Sequence, residues 1–364
     1  MKFNIEQDQI LEALQKVQSI VGQRTTLPIL SNVLLEASDG RLTLTTTDQE
    51  VSVRTSLEAD ISEPGATTLP ARRFFSICRE LPSHQVEISV NESDVAEISS
   101  GAANFKLEGL SNIDFPPLPS FEESFSYQIK EGILKDLLQK TSYAASTDES
   151  RVILNGSLLA FRDNKLTVVC TDGRRLALVE QEIDIPDDAQ MDMVVPTKTV
   201  TELIKTLGDE GEATIKTSTT QVAFEFGSIF IISKLIDGTY PNYRQVIPSQ
   251  CEERIAIDRE TLQNAVRRVS LMLDDQSASV KVMITENRIE LLTSSPEVGE
   301  ARESVPVKYS GKDITIAFNP GFMLAPLKHL DSDEIYLELS DELSPGVIKS
   351  NIPFLYVIMP IRVT

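Results

Sequence analysis

One pattern occurs three times along this chain of 364 residues, and it limits the possible folds more than any other feature. The pattern opens on Ile5, Ile129 or Ile257, and further residues, all apolar except one threonine, follow 5, 9 and 12 positions later. The later positions keep the spacing of one helix face. Each copy is therefore predicted to begin as a short strand that leads into an amphipathic helix.

Two alternating runs of apolar and polar residues follow each of these helices. The runs are separated by Asp-Gly at 39–40, by Asp-Asn at 163–164 and by Glu-Asn at 286–287. Alternation on both sides of such a turn predicts a β-hairpin. A second helix with proline at its start comes next in each copy, and more alternating strands close the copy.

The three copies predict an α+β fold of three repeated domains, each with two helices on antiparallel sheets. Thr-Asp pairs at 47–48 and 171–172 are 124 residues apart, which is also the spacing between the first two copies. Proline and polar residues cluster in "FPPLPSFEES" and "VIPSQCEE", so these stretches are predicted to connect domains. We place the domains at residues 1–124, 125–252 and 253–364.

The composition is that of an acidic globular protein, with 55 acidic residues, 34 basic residues and a net charge of −21. That charge opposes tight, indiscriminate binding to nucleic acid, but it does not exclude a local basic surface. The three cysteines are odd in number and far apart, which favours reduced thiols in a cytoplasmic protein. The opening "MKFNIEQDQ" lacks the apolar segment of a secretory signal, and no apolar run is long enough to span a bilayer.

Residue patterns that carry enzyme chemistry are missing from the sequence. The two histidines, His84 and His329, have no cysteine or second histidine at ligand spacing, so we predict no metal site. Phosphate-binding loops, dinucleotide fingerprints and nucleophile elbows are absent as well, so we predict a non-enzyme without a cofactor. Tryptophan is absent and aromatic residues make up only 6%, which disfavours a stacking platform for single-stranded nucleic acid.

Basic residues concentrate on the predicted helices, whereas the acidic excess lies largely in strands and loops. One interpretation is an ordinary solvated helix face, which commonly carries Lys and Arg. The other is a surface shared by six helices that holds a duplex loosely through its phosphates without reading its sequence. The sequence leaves both open. The residues concerned are Lys16, Arg24, Arg72, Arg73, Arg79, Lys135, Lys140, Lys198, Lys205, Arg259, Arg267, Arg268 and Lys328.

Four stretches together resemble one protein family. "LPARRF", "TDGRRLA", "DGTYPNYRQVIP" and "YVIMPIRV" are similar to segments of the bacterial DNA polymerase III beta subunit, the sliding clamp, and the similarity extends over the whole chain. The resemblance implies three clamp domains per chain and a homodimer joined head to tail into a closed ring. It further implies that the ring encircles double-stranded DNA and tethers the replicative polymerase for processivity. Binding would then be topological, so the acidic net charge is no obstacle.

The same resemblance implies functional residues. A pocket would accept short peptides from the polymerase III catalytic subunit, the clamp loader, other polymerases and mismatch-repair proteins. DNA contacts would include Arg24, Arg73 and Lys198, and the dimer contact would place Phe105 and Lys106 against Leu271 and Met272. The pocket residues would be Leu154, Thr171, Gly173, Arg174, Arg175, Leu176, Pro241, Val246, Asn319, Phe322, Leu343, Val357, Met359, Pro360, Ile361 and Arg362.

Other interpretations of these residues stay open at this point. By strand alternation alone, Leu176, Val357 and Met359 are better explained as core residues than as a binding surface. A clamp paralogue outside the main replisome fits the sequence as well as the replicative clamp does. A three-repeat interaction scaffold without a role on DNA is the alternative from a different functional class.

Overall fold

The structure is a computed structural model that describes every residue except 23–26, 83–84, 119–120, 122–123, 187–188, 274–278 and 363–364. It forms two compact units. The first consists of residues 1–134 and 201–235, and the second consists of residues 135–200 and 236–364. No helix in the described part of the chain is both long and apolar enough to cross a membrane.

Among the described residues, six α-helices occur at the predicted places, two in each copy of the repeat. The first helix of each copy directly follows a strand. The second helix also follows a strand, either directly or after one residue, the helix cap Asn319. The structure thus confirms the predicted class of antiparallel sheets with two helices per copy. The helices are α1 (Gln7–Val17), α2 (Ala71–Glu80), α3 (Glu131–Gln139), α4 (Thr197–Thr206), α5 (Arg259–Val269) and α6 (Pro320–His329).

In the part of the chain that the structure describes, the strands form four antiparallel sheets. In chain order they are β1 (Lys2–Glu6), β2 (Asn32–Ser38), β3 (Arg41–Thr47), β4 (Val51–Glu58), β5 (Asp60–Glu63), β6 (Gly65–Pro70), β7 (Gln85–Val90), β8 (Val95–Ser100), β9 (Ala103–Glu108), β10 (Phe125–Lys130), β11 (Gly156–Arg162), β12 (Lys165–Thr171), β13 (Arg175–Glu182), β14 (Met191–Pro196), β15 (Glu212–Thr217), β16 (Gln221–Phe226), β17 (Ile229–Lys234), β18 (Glu253–Asp258), β19 (Val280–Thr285), β20 (Arg288–Ser295), β21 (Gly299–Pro306), β22 (Ile314–Phe318), β23 (Glu334–Leu339), β24 (Gly346–Lys349) and β25 (Phe354–Ile358).

The three predicted hairpins form as β2–β3, β11–β12 and β19–β20. Their turns contain residues in the left-handed region, with φ of 50° at Asp39, 52° at Asp163 and 58° at Asn287. Asp and Asn tolerate this conformation better than most side chains, and turns of this hand match the twist of paired strands. The turn dipeptides in the sequence therefore fix the hairpin positions.

Each unit contains one eight-stranded sheet that combines two copies of the repeat. In the first unit the order is β10-β15-β16-β17-β4-β3-β2-β6, so β17 of the second copy pairs with β4 of the first. In the second unit the order is β14-β11-β12-β13-β25-β24-β23-β18, so β13 of the second copy pairs with β25 of the third. The central copy thus contributes strands to both units, and the second junction positions the site described below.

The remaining two sheets leave free edges. The first unit has the order β5-β1-β7-β8-β9, and the second unit has the order β21-β20-β19-β22. Strand β9 ends one sheet and β21 ends the other, so each has one edge without a partner strand among the described residues. A free strand edge presents backbone donors and acceptors that can pair with another chain.

Candidate functional site

A tight turn precedes β13 and contains the arginine pair. The Asp172 carboxylate accepts hydrogen bonds from the backbone N–H of Arg174 at 2.9 Å and of Arg175 at 3.0 Å. The Thr171 hydroxyl donates to the Arg175 carbonyl at 2.6 Å and accepts from the Gly173 N–H at 3.1 Å. Gly173 has φ of 85°, a conformation that favours glycine. The sequence Thr-Asp-Gly therefore folds the turn locally.

The first copy of the repeat builds the same turn without the arginines. Asp48 accepts from the backbone N–H of Glu50 at 3.0 Å and of Val51 at 2.8 Å. The Thr47 hydroxyl donates to the Val51 carbonyl at 3.3 Å and accepts from the Gln49 N–H at 3.0 Å. The Thr-Asp pair is thus a structural device in both copies. What distinguishes the second copy is the pair Arg174 and Arg175.

Arg175 is held in place from two sides. Its Nε lies 3.0 Å from the second carboxylate oxygen of Asp172, and only 16% and 18% of the two side chains is exposed. The centre of its guanidinium lies 4.5 Å from the centroid of the Phe322 ring, within the range of a cation–π contact. The Tyr356 hydroxyl donates to the Phe322 carbonyl at 2.9 Å, and burial raises the pKa of Tyr356. Strand β25 and helix α6 thereby fix the cation.

The predicted apolar pocket residues differ in burial. Leu176 and Val357 face each other across the β13–β25 pair and are buried in the core of the unit. Leu154 is buried as well, whereas Val246 is 48% exposed and Met359 is 40% exposed. Leu176 and Val357 are thus core residues, as strand alternation alone predicts. Met359 and Val246 are exposed and can contact a bound partner. Exposed apolar groups over a buried apolar floor are typical of a binding surface.

The second part of the predicted pocket lies on α6, at its cap, and on the segments after β23 and β25. Asn319 caps α6 by accepting a hydrogen bond from the Phe322 N–H at 3.1 Å. Leu343 is 65% exposed, and Ile361 is held by a hydrogen bond from its N–H to the Ala317 carbonyl at 2.8 Å. The other predicted residues are Pro360, which is half-buried, and Gly173, Arg174, Pro241 and Arg362, which are exposed.

Three residues that shape this site were not predicted from the sequence. Asp172 holds the turn, Tyr356 anchors the backbone beneath Phe322, and the Arg151 guanidinium donates to the Asp172 carbonyl at 3.2 Å. The repeated Thr-Asp pair was a usable signal for Asp172. Tyr356 and Arg151 gave none, because their contacts are to backbone carbonyls of residues distant in the sequence.

The basic residues of the helices divide into two groups. Arg73 on α2 and Lys198 on α4 are exposed, and the predicted contact Arg24 lies outside the described residues. Several of the remaining cations form contacts within the chain. Lys16 pairs with Glu12, Arg268 pairs with Glu303 on β21, and Arg259 donates to the carbonyls of Leu327 and Ser332. A basic surface on the helices would therefore include fewer basic residues than the predicted helices carry.

Two of the predicted dimer residues lie on the edge strand β9, and the other two lie on a turn that contacts the edge strand β21. Phe105 and Lys106 are on β9, where Phe105 is 37% exposed and Lys106 pairs with Glu97 at 2.9 Å. Leu271, which is 75% exposed, and Met272 lie on a 3₁₀ turn at Ser270–Met272. Each edge thus combines free backbone groups with an exposed apolar side chain.

Comparison with known proteins accounts for the whole chain. Family models of the DNA polymerase III beta subunit match its N-terminal domain at residues 1–119, its central domain at 128–242 and its C-terminal domain at 244–362. The chain belongs to the DNA polymerase III beta subunit family. The beta sliding clamps of Chlamydia muridarum and Bacillus subtilis are 36% and 34% identical to it, and the matches cover 100% of this chain and at least 99% of each relative.

Solved structures of beta subunits have the same fold. The sliding clamp of Bartonella birtlesii, crystallised with griselimycin, superimposes with a TM-score of 0.96 at 35% identity over 100% of both chains. The clamp of Bacillus subtilis superimposes with a TM-score of 0.95 at 33% identity, again over 100% of both chains. Similarity of fold and sequence along the full length supports the three-copy arrangement inferred from the repeats.

Proposed function

We propose that this chain is a DNA sliding clamp, a processivity subunit that has no catalytic site of its own. Two copies close into a ring around duplex DNA, and a pocket on each copy recruits polymerases, the clamp loader and repair proteins by short peptides. The observation that carries the proposal is the match of all three copies to one clamp family. We place its activity in the cytoplasm, on bacterial DNA.

The free edges β9 and β21 support a head-to-tail ring. A contact between two different surfaces closes into a ring only if the rotation between subunits closes. Strand pairing between β9 of one chain and β21 of the other would satisfy both edges and bury Phe105 against Leu271. Domain boundaries near residues 124 and 252 are part of the same proposal. They divide the chain into three clamp domains.

Contact with DNA would be weak and independent of sequence. Arg73 and Lys198 are exposed and would meet phosphates, as would Arg24. Because the chain has a net charge of −21, electrostatic attraction alone cannot keep the protein on DNA. A closed ring stays on DNA without electrostatic attraction. We expect the residual contact to weaken as salt rises, because phosphate contacts release counterions.

The pocket has the chemistry of a peptide site. Leu154, Leu176 and Val357 give a rigid apolar floor, and Met359 gives a flexible rim that adapts to different partners. Arg175, fixed by Asp172, can donate to a peptide carbonyl or carboxylate. Because a flexible peptide loses entropy on binding, we expect modest affinity. We also propose that griselimycin binds in this pocket and competes with partner peptides.

Retention on DNA tests the proposal. The protein is loaded onto nicked circular plasmid by a clamp loader, and half of the plasmid is then cut once. A ring stays on the circles and leaves the linear molecules at their ends. The matched variant Leu271→Asp places a charge in the proposed contact, so it should lose retention on circles while still binding griselimycin. Equal retention on circular and linear plasmid would contradict the proposal.

A further inference from the structure

A second concave surface lies on the same sheet as the candidate pocket. It is a groove of about 450 Å³ along β13 and β25, and its apolar lining includes Leu178, Leu355, Tyr243 and Ile247. Two cations, Arg244 and Lys349, lie along it. All of these residues belong to the second compact unit. None of them is among the residues assigned above to the pocket.

The groove continues the floor of the pocket. Leu178 and Leu355 face each other in the β13–β25 pair, two positions along from the pair Leu176 and Val357. Alternate residues of a strand point to the same face and lie roughly 7 Å apart. Both pairs pack against one core cluster, so they belong to one continuous apolar surface. A peptide seated in the pocket therefore reaches the groove within a few residues.

One short element takes part in both surfaces. The 3₁₀ turn Tyr243–Val246 contributes Val246 to the candidate pocket and contributes Tyr243 and Arg244 to the groove. The Arg244 guanidinium lies 5.9 Å from the centroid of the Tyr243 ring. No carboxylate among the described residues forms an ion pair with Arg244. Its guanidinium interacts with the Tyr243 hydroxyl and with the charge of Glu180, which also lines the groove, and it is exposed beside an apolar surface.

The other charged residues of the groove are already engaged. Lys349 pairs with the largely buried Glu338 at 2.7 Å, and Glu180 lies 3.5 Å from Lys165. Arg244 is thus the cation of the groove that has no ion pair among the described residues, and it can pair with a carboxylate. An exposed cation next to an apolar strip favours a segment with an apolar residue beside an acidic one.

We propose that this groove binds the segment of a partner peptide that flanks the residues in the pocket. An apolar side chain of the flank packs on Leu178 and Leu355, and a neighbouring carboxylate pairs with Arg244. This inference rests on the proposed function of the pocket as a peptide site. It extends the site from the pocket itself to a second position that selects acidic flanks.

The test begins with a short peptide, here called the core peptide, that is selected for binding to the full-length protein. Griselimycin must displace this peptide. Each derivative extends the core peptide at its N- or C-terminal end by a glycine linker and then Leu-Asp or Leu-Asn. The affinities of the derivatives are measured by fluorescence anisotropy. At one end, we expect the Asp form to bind about two- to fivefold more tightly than the Asn form, with the difference shrinking in high salt. Arg244→Gln should remove that difference and leave the core peptide's affinity unchanged.

A matched substitution and the alternative outcomes complete the design. Lys308 is another exposed cation of the same unit but does not line the groove, so Lys308→Gln should keep the full Asp preference. Equal binding of the Asp and Asn forms at both ends, or an Asp preference that survives Arg244→Gln, would overturn the groove assignment alone. Failure of the protein to yield any core peptide that griselimycin displaces would overturn the pocket and the groove together.

Discussion

Replacing Asp172 with asparagine tests how the pocket arginine is held. Asparagine keeps one side-chain oxygen, so it can still accept from the backbone N–H groups of Arg174 and Arg175. It loses the negative charge, and its NH2 group meets Arg175 Nε, where the second carboxylate oxygen lies at 3.0 Å. Two donors then face each other. We expect Arg175 to leave the Phe322 ring and the turn to open more often.

The repeat supplies a matched control, because Asp48 makes the same backbone contacts in the first copy. Loss of charge assistance at a backbone turn should cost about 1 kcal/mol in either copy. The ion pair with Arg175 is mostly buried and should add about 1 kcal/mol in the second copy alone. The Arg175 ion pair thus contributes about fivefold to the difference between Asp172→Asn and Asp48→Asn in the local opening equilibrium.

Hydrogen exchange of the two turns measures this difference directly. The amides at positions 174 and 175 should exchange faster in Asp172→Asn by a larger factor than the amides at 50 and 51 in Asp48→Asn. Affinity for a pocket peptide should fall about five- to tenfold in Asp172→Asn and stay unchanged in Asp48→Asn. Equal acceleration in both turns, with no loss of peptide affinity, would refute the role assigned to the ion pair.

Other contacts give further expectations. Phe322→Leu removes the ring under Arg175 and should weaken peptide binding about two- to fivefold in titrations, whereas Phe322→Tyr should not. Burial raises the pKa of the Cys78 thiol to about 12, so native iodoacetamide labelling at pH 8, read by mass spectrometry, should modify the half-buried Cys251 first. Hydrogen bonds from Thr261 lower the pKa of the helix cap Asp258, so its stabilisation is complete above about pH 4 and lost as pH falls through that lowered pKa. Asp258→Ala should therefore cost about 1 kcal/mol in denaturant unfolding at pH 7 and less at pH 3.

The sequence was enough to predict the repeated elements of the fold. Helices and hairpins depend on residues close in the chain, such as the apolar series after Ile5 and the turn at Asp163, so their positions follow from local patterns. The pairing of β13 with β25 joins residues about 180 positions apart, and no local pattern encodes it. The prediction that Leu176 and Val357 lie in one site came from the family resemblance and not from periodicity.

Burial and charge pairing also lay beyond sequence reasoning. Leu176 and Met359 both lie at apolar positions of alternating segments, yet one is buried and the other is a rim residue, because Met359 lies just past the end of β25. Likewise, Arg268 was grouped with available helix cations, whereas it pairs with Glu303 on β21. Both outcomes depend on which distant element packs against the residue.

The two junctions between copies separate the contribution of the backbone from that of the side chains. At the first junction the Lys234 N–H donates to the Glu50 carbonyl at 3.0 Å, and at the second the Met359 N–H donates to the Arg174 carbonyl at 2.9 Å. The same turn, strand pair and closing hydrogen bond thus occur twice. Only the second junction has arginine and methionine at these positions, where the first has a glutamate and a lysine. The fold alone therefore does not create the proposed pocket, whose specificity would reside in side chains that can change without changing the turn that presents them.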